Sequence, residues 1–225
     1  MAFVTILLMA IAATVVQMAT IYNKGMTLRA VDQAGQAISR DMQTTLSSSE
    51  PLDVGTATEG GVHFRPQVHV GGDISQPDGG RLCTGSYSYV WNTGRGIDNP
   101  INLYDGGDEM VYLVKVRDTG ALYCSDTMTR INKTDATEFL AGSDRNLVVQ
   151  SLRIVAAATD SVSRQALYRV TIEIGTNGRD SLNRDTAINS IDTTCKPPND
   201  DTSQHDFCAV NKFEFTARTG SRGAL

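Results

Sequence analysis

Residues 2–22 contain no Lys, Arg, Asp or Glu, and the first charged side chain is Lys24. About 21 residues at 1.5 Å each make a helix of roughly 30 Å, the thickness of a bilayer's apolar core. Past Tyr22 the pattern changes without a break. Leu28, Val31, Ala34, Ile38, Met42 and Leu46 recur every three or four residues, which puts them on one helix stripe. Arg29, Asp32, Gln36, Arg40 and Gln43 fall on the other side. The two patterns predict one continuous helix over residues 3–46, roughly 70 Å long. Gly25 and Gly35 each weaken it by about 1 kcal/mol relative to Ala and mark places where it bends or packs closely. Ser47-Ser48-Ser49 and Glu50-Pro51 end it, because the residue before proline avoids the α region. No head of this size can bury such a length, so most of the apolar half must meet lipid or other helices.

The rest of the chain reads mainly as strands. Tyr87, Tyr89 and Trp91 alternate with Ser86, Ser88 and Val90 and are expected in the sheet core. Met110-Val111-Tyr112-Leu113-Val114 has the composition of a strand buried on both faces, and residues 146–156 form another strand. In residues 167–174, Tyr168, Val170, Ile172 and Ile174 line one face against Arg169, Thr171 and Glu173, the alternation of a half-buried antiparallel strand. Phe213, Phe215 and Ala217 repeat it against Lys212, Glu214, Thr216 and Arg218. Residues 135–140 predict one short helix, with Asp135 as cap, Glu138 at the capping-box position and Gly142 as its end. Residues 175–206 read as one long polar loop. The fold class is therefore α+β: a helical stem over residues 1–49, membrane-spanning or filament-forming over 1–22 and amphipathic over 23–49. An antiparallel β-rich head occupies residues 50–225.

The head's roughly 175 residues suffice for one domain with its own core. A net charge of −5 argues against a broad nucleic-acid-binding face, which needs clustered Lys and Arg. The four cysteines, Cys83, Cys124, Cys195 and Cys208, all lie beyond the apolar run, as expected of disulfides in an oxidising, extracytoplasmic compartment. Four cysteines allow three pairings. Cys83–Cys124 and Cys195–Cys208 are expected, since each encloses one local unit, and free thiols are the alternative. Zinc lacks a CxxC pair. A cleaved secretory signal would begin with basic residues, so the apolar segment is expected to be retained.

An apolar helical half joined to an amphipathic half and a β head resembles the type IV pilins and the pseudopilins of type II secretion. Phe3-Val4-Thr5-Ile6-Leu7-Leu8 is similar to the start of a mature pilin, and residues 31–42 to the amphipathic half. Cys195 and Cys208 with Phe213-Glu214-Phe215 resemble the family's stapled C-terminal region and last strand, and the layout is closest to the larger minor pilins associated with filament tips. The resemblance implies an assembly stem comprising Phe3, Leu7, Ala12, Ala13, Val16, Leu28, Val31, Ile38 and Met42. It implies other pilin subunits as partners, and the membrane before assembly. The head is then placed outside the cytoplasm and, after assembly, on a surface filament. The family's glutamate at the fifth mature position has no counterpart: Thr5 stands there counting from Met1, and Leu7 counting from Phe3. That departure fits a low-copy or initiating subunit better than a major one, and it also fits a plain membrane-anchored protein.

Catalytic patterns do not emerge. His63, His69 and His205 are scattered, and no nucleophile elbow, HExxH, P-loop or dinucleotide fingerprint occurs. The oxygen-rich set Asp98, Asn99, Asn102, Asp105, Asp108 and Glu109 could face Ca²⁺ but lacks EF-hand spacing, and reads as a solvated turn. Asn199-Asp200-Asp201 is a weaker version of the same signal. Asn132-Lys133-Thr134 matches a glycosylation sequon. No cofactor, metal or enzymatic activity is expected. The expected function is a structural pilus subunit acting in assembly, adhesion or motility. A monomeric membrane-anchored binding protein and a type II pseudopilin are the alternatives. Surface recognition is expected on the loops around residues 98–109 and 175–206, held by the sheet.

Overall fold

A computed structural model describes residues 2–56, 59–69, 72, 77–125, 130–140, 146–160, 165–184, 193–197 and 207–220. A single helix, α1, runs without interruption over Ala2–Ser47. Ser49 closes it by donating its hydroxyl to the Leu46 carbonyl at 2.7 Å. The head follows as β1 (Phe64–Gln67), β2 (Gly79–Cys83), β3 (Tyr87–Asn92), β4 (Leu103–Tyr104), β5 (Leu113–Arg117), β6 (Arg130–Ile131) and β7 (Ala136–Glu138). After these come β8 (Leu147–Asp160), β9 (Gln165–Thr176), β10 (Leu182–Arg184), β11 (Thr193–Cys195) and β12 (Val210–Thr219).

Two antiparallel sheets carry the head. The first has the order β1-β2-β3-β5-β7 and the second β12-β9-β8. They meet where Thr93, just past β3, bridges Val149 of β8. Short two-stranded pieces, β4-β6 and β10-β11, lie outside them. The architecture is the α+β arrangement that the patterning predicts.

The second sheet lies against the upper half of α1. Tyr168, Val170, Ile172 and Ile174 of β9 are fully buried, as are Val31, Ile38, Met42 and Leu46 of the helix. Burying each such side chain contributes about 1.5–3 kcal/mol. β12 runs alongside α1 in the same direction. Lys24 Nζ donates to the Cys208 carbonyl at 2.5 Å, Asn211 Nδ2 to Asp32 Oδ1 at 2.6 Å, and Gln43 Nε2 to the Thr216 carbonyl at 3.0 Å. The Gly220 amide then donates to the Ser49 carbonyl at 3.0 Å. From Lys24 to Ser49 the helix climbs about 37 Å, and from Cys208 to Gly220 an extended chain climbs about 40 Å, so the two keep pace. Gly35 makes the close approach possible: a Cβ there would lie 2.1 Å from the Phe213 ring.

The first sheet is buried on both faces. Tyr89, Trp91, Leu82 and Leu113 join the core that holds the stem. Val90, Val114, Val116 and Cys83 point the other way, into a second core closed by Tyr104, Tyr123, Cys124 and Ile131. The Cys83–Cys124 disulfide lies in that second core, and Cys195–Cys208 closes the C-terminal loop.

Four local expectations change. Residues 135–140 are not a helix: Lys133–Asp135 form one 3₁₀ turn capped by Asn132, and Ala136–Glu138 pair with β5. Six residues cannot offset helix nucleation when an open strand edge offers backbone partners at once. The strand expected at residues 110–114 begins at Leu113 instead. The Asn92 amide side chain holds the backbone ahead of it, donating to the Asn102 and Val111 carbonyls. Tyr87 is 40% exposed rather than in the core, because it opens β3 at the sheet's end. Part of the long loop over 175–206 is ordered as β10 and β11, with Leu182 opposite Cys195. Gly142, proposed as a helix end, lies outside the described residues.

The Gly35–Phe213 contact gives a direct test. Gly35→Ala must displace the ring and is expected to cost about 1–3 kcal/mol. Gly25, with no atom near its would-be Cβ, is expected to tolerate Ala or gain up to about 1 kcal/mol. Urea melts in detergent followed by Trp91 fluorescence check both. Equal behaviour of the two variants would remove Gly35 from its packing role.

Candidate functional site

The stem divides at the level of Lys24. Every side chain from residue 3 to 19 is exposed, Ala12 and Ala13 included, and Phe3, Leu7 and Val16 are 77%, 50% and 64% exposed. Among the described residues, nothing buries this apolar stretch. It is long and apolar enough to cross a membrane. Ala10, Ala12, Ala13 and Ala19 leave room for close helix–helix approach.

Above Lys24 the situation reverses. Val31, Ile38 and Met42, expected as assembly positions, are fully buried against the chain's own sheets. They hold the head to the stem and present nothing to a neighbour. Leu28, expected on the same stripe, is exposed, and the buried position one residue earlier is taken by Thr27. The Thr27 hydroxyl donates to the Asn23 carbonyl at 2.9 Å, which makes its burial tolerable. The exposed assembly candidates are therefore Phe3, Leu7, Ala12, Ala13, Val16 and Leu28.

A polar clamp sets how the helix sits on the first sheet. Lys115 of β5 donates to both carboxylate oxygens of Asp41 at 3.0 Å and to Thr45 Oγ1 at 2.8 Å. The Tyr89 hydroxyl donates to Asp41 Oδ2 at 2.5 Å and is hydrogen-bonded with Thr45 Oγ1. Burial, and then the Asp41 carboxylate, push the Tyr89 hydroxyl far above its ordinary range, so it remains a donor. The Lys115 ammonium also lies over the Tyr87 and Tyr89 rings. The sequence signal for this clamp is a lysine inside the apolar run Leu113-Val114-Lys115-Val116, which calls for a carboxylate partner. The partner's position, on a helix 74 residues earlier, is not in the local pattern.

The loop over residues 98–109 contributes to a cavity of about 300 Å³ lined by Tyr104, Glu109, Met110, Tyr112, Lys133 and Glu138. Lys133 pairs with Glu109 at its rim, with Nζ 2.6 Å from Oε1. Glu138 accepts from the Tyr104 hydroxyl and from the amides of Tyr112, Leu113 and Leu140. Its acceptor capacity is spent on the fold, which suits it to shaping the cavity and not to proton transfer. Burial raises its pKa above the usual carboxylate range, and the same burial raises the Tyr104 hydroxyl, with Glu138 adding to that shift.

The remaining candidates are accounted for locally. Asn102 is buried and donates to the Trp91 carbonyl, so it supports β3 and is turned away from any loop cation. His63 Nδ1 accepts from the Asp53 amide, and His69 Nδ1 lies 2.6 Å from Asp78 Oδ2. Asn132 caps the 3₁₀ turn by accepting from the Thr134 amide and hydroxyl. His205 and Asn199-Asp200-Asp201 lie outside the described residues. Among the described residues, no three His, Cys, Asp or Glu side chains gather as a metal site.

Glu138 yields a pH test. Its folded-state pKa lies above the ordinary value of 4.5, so the folded chain holds this proton more tightly than the unfolded chain. The resulting stability is fully present below that ordinary value and is lost as pH rises through the raised one. Denaturation of the parent and of Glu138→Gln across the mildly acidic range should show the difference, parent minus variant, falling as pH rises. A flat difference would mean that burial does not control this carboxyl. In comparisons with known proteins, no family model, no curated protein and no solved structure matches this chain.

Proposed function

We propose that this protein is a membrane-anchored, pilin-like structural subunit with its head outside the cytoplasm, and that it joins a type IV pilus-like filament through the lower half of its stem. The observation that carries the reading is the sharp division of one unbroken helix. Residues 3–19 are exposed and free of charge on every side, while Val31, Ile38, Met42 and Leu46 are sealed into the head. A plain membrane anchor needs no rigid connection to its head. Here the helix continues through the head at full length, so the head's orientation is set by the direction of the apolar segment. That rigidity suits a subunit whose head must stand at a defined angle to neighbouring helices. The two disulfides fit an oxidising compartment. The partners are other pilin-type helices, with the bilayer holding the stem before assembly. No cofactor or catalytic step is required. The likeness to the larger minor pilins favours a minor subunit acting in assembly, adhesion or motility.

A second reading, a monomeric membrane-anchored binding module, draws support from the aromatic-lined cavity at Tyr104 and Tyr112. The stem separates the two. Ala12→Asp places a charge near the bilayer centre at a cost of about 3 kcal/mol. It is expected to reduce membrane retention and remove the chain from filaments. Leu7→Cys is expected to give stem-to-stem crosslinks in assembled material. Normal filament entry by Ala12→Asp, or the absence of crosslinks from Leu7→Cys, would remove the stem as assembly element, and the latter favours the monomer.

A further inference from the structure

The stem carries its own depth marker. The charge-free run ends at Lys24, with Tyr22 68% exposed just before it. In a membrane-spanning helix this is where an aromatic ring and a cation sit at the lipid–water boundary. What the head places at that level follows from one hydrogen bond. Lys24 Nζ donates to the carbonyl of Cys208 at 2.5 Å, which sets the C-terminal disulfide beside the helix at the end of the apolar segment. β12 then leads away from this point along the helix, so the rest of the second sheet lies farther from the bilayer.

The described residues around the disulfide at this level are firmly held. Cys208 is bonded to Cys195, and Cys195 lies opposite Leu182 in the β10-β11 pair. The Lys196 amide donates to the Ser181 carbonyl at 2.8 Å, and Cys208 Sγ lies 3.4 Å from the same carbonyl. Cys208 itself is fully buried, whereas the preceding Phe207 is 48% exposed. A half-exposed phenyl ring is thus fixed next to the residue that Lys24 grips.

We propose that the Cys195–Cys208 disulfide corner, residues 193–197 and 207–208, is the seat of the head on the bilayer, with Phe207 resting in the lipid interface at the level of Lys24. The partner is a lipid surface, chosen because the seat is continuous with the apolar helix that enters the same layer. The inference rests on the reading of the stem as membrane-spanning. The disulfide corner then sets the head's standing height. A bilayer accepts the ring because the interface takes an aromatic edge at little desolvation cost.

The test uses the full chain in phosphatidylcholine vesicles at high lipid-to-protein ratio, with lipids brominated at a shallow or a deep position on the acyl chain. The single native tryptophan, Trp91, is buried in the head and supplies the background. Phe207→Trp is expected to lose more than half of its added emission to the shallow lipid, less to the deep one, and little to aqueous iodide. Val16→Trp lies about 12 Å below Lys24, near the middle of the layer, and is expected to show the opposite depth order. If Val16→Trp is quenched and Phe207→Trp responds only to iodide, the seat is overturned while the spanning stem stands. If neither is quenched by lipid, both readings fall. If Phe207→Trp becomes shielded only when filaments form, its partner is a second subunit and the lipid seat is overturned.

Discussion

One mismatch of size governs this molecule: a helix of 46 residues is attached to a head that can cover only its upper half. Apolar surface that the chain cannot bury must find lipid or another chain, because leaving it in water costs about 25 cal/mol per Å². The lower half meets this requirement outside the molecule. The upper half meets it inside, by becoming one wall of the head's core. The transition falls within a few residues of Lys24, where the first charge appears and the Cys208 carbonyl is bonded.

Hydrophobic contact alone does not position a helix on a sheet. A stripe that repeats every turn can slip by about 5.4 Å and still bury similar side chains. Two devices remove that freedom. Gly35 accepts the Phe213 ring where any other side chain would hold the strand off. The Asp41, Thr45, Lys115 and Tyr89 cluster adds directional bonds that a slip of one turn would break. Breaking such a partly buried pair leaves an unmatched charge, so the cost of slipping exceeds the net worth of the pair in place.

Two parts of the head relate differently to the stem. The Cys195–Cys208 disulfide is held at Lys24. The Tyr104 cavity belongs to the layer over the first sheet, whose Tyr89 meets the stem at Asp41, about 25 Å farther along the helix.

Much of this was readable in the sequence. Charge-free residues 2–22 and the three-or-four spacing of Val31, Ile38, Met42 and Leu46 determine a long helix with two environments, because periodicity and transfer energy are local properties of the chain. The alternation in residues 167–174 and 213–217 determines two strands for the same reason. What the sequence could not decide was which surface each face meets. Val31, Ile38 and Met42 have the same character whether they bind a neighbour or the chain's own sheet, and only the fold assigns them to the sheet. Residues 135–140 carry helix-capping chemistry, yet the free edge of β5 claims them as a strand. Lys115 announces a buried charge, but its partner Asp41 comes from the helix. Lys24 and Cys208, 184 residues apart, meet only because β12 and α1 climb at matched rates. Short-range spacing sets the elements, and long-range packing, which pairs residues by shape and charge across the whole chain, sets what each element touches.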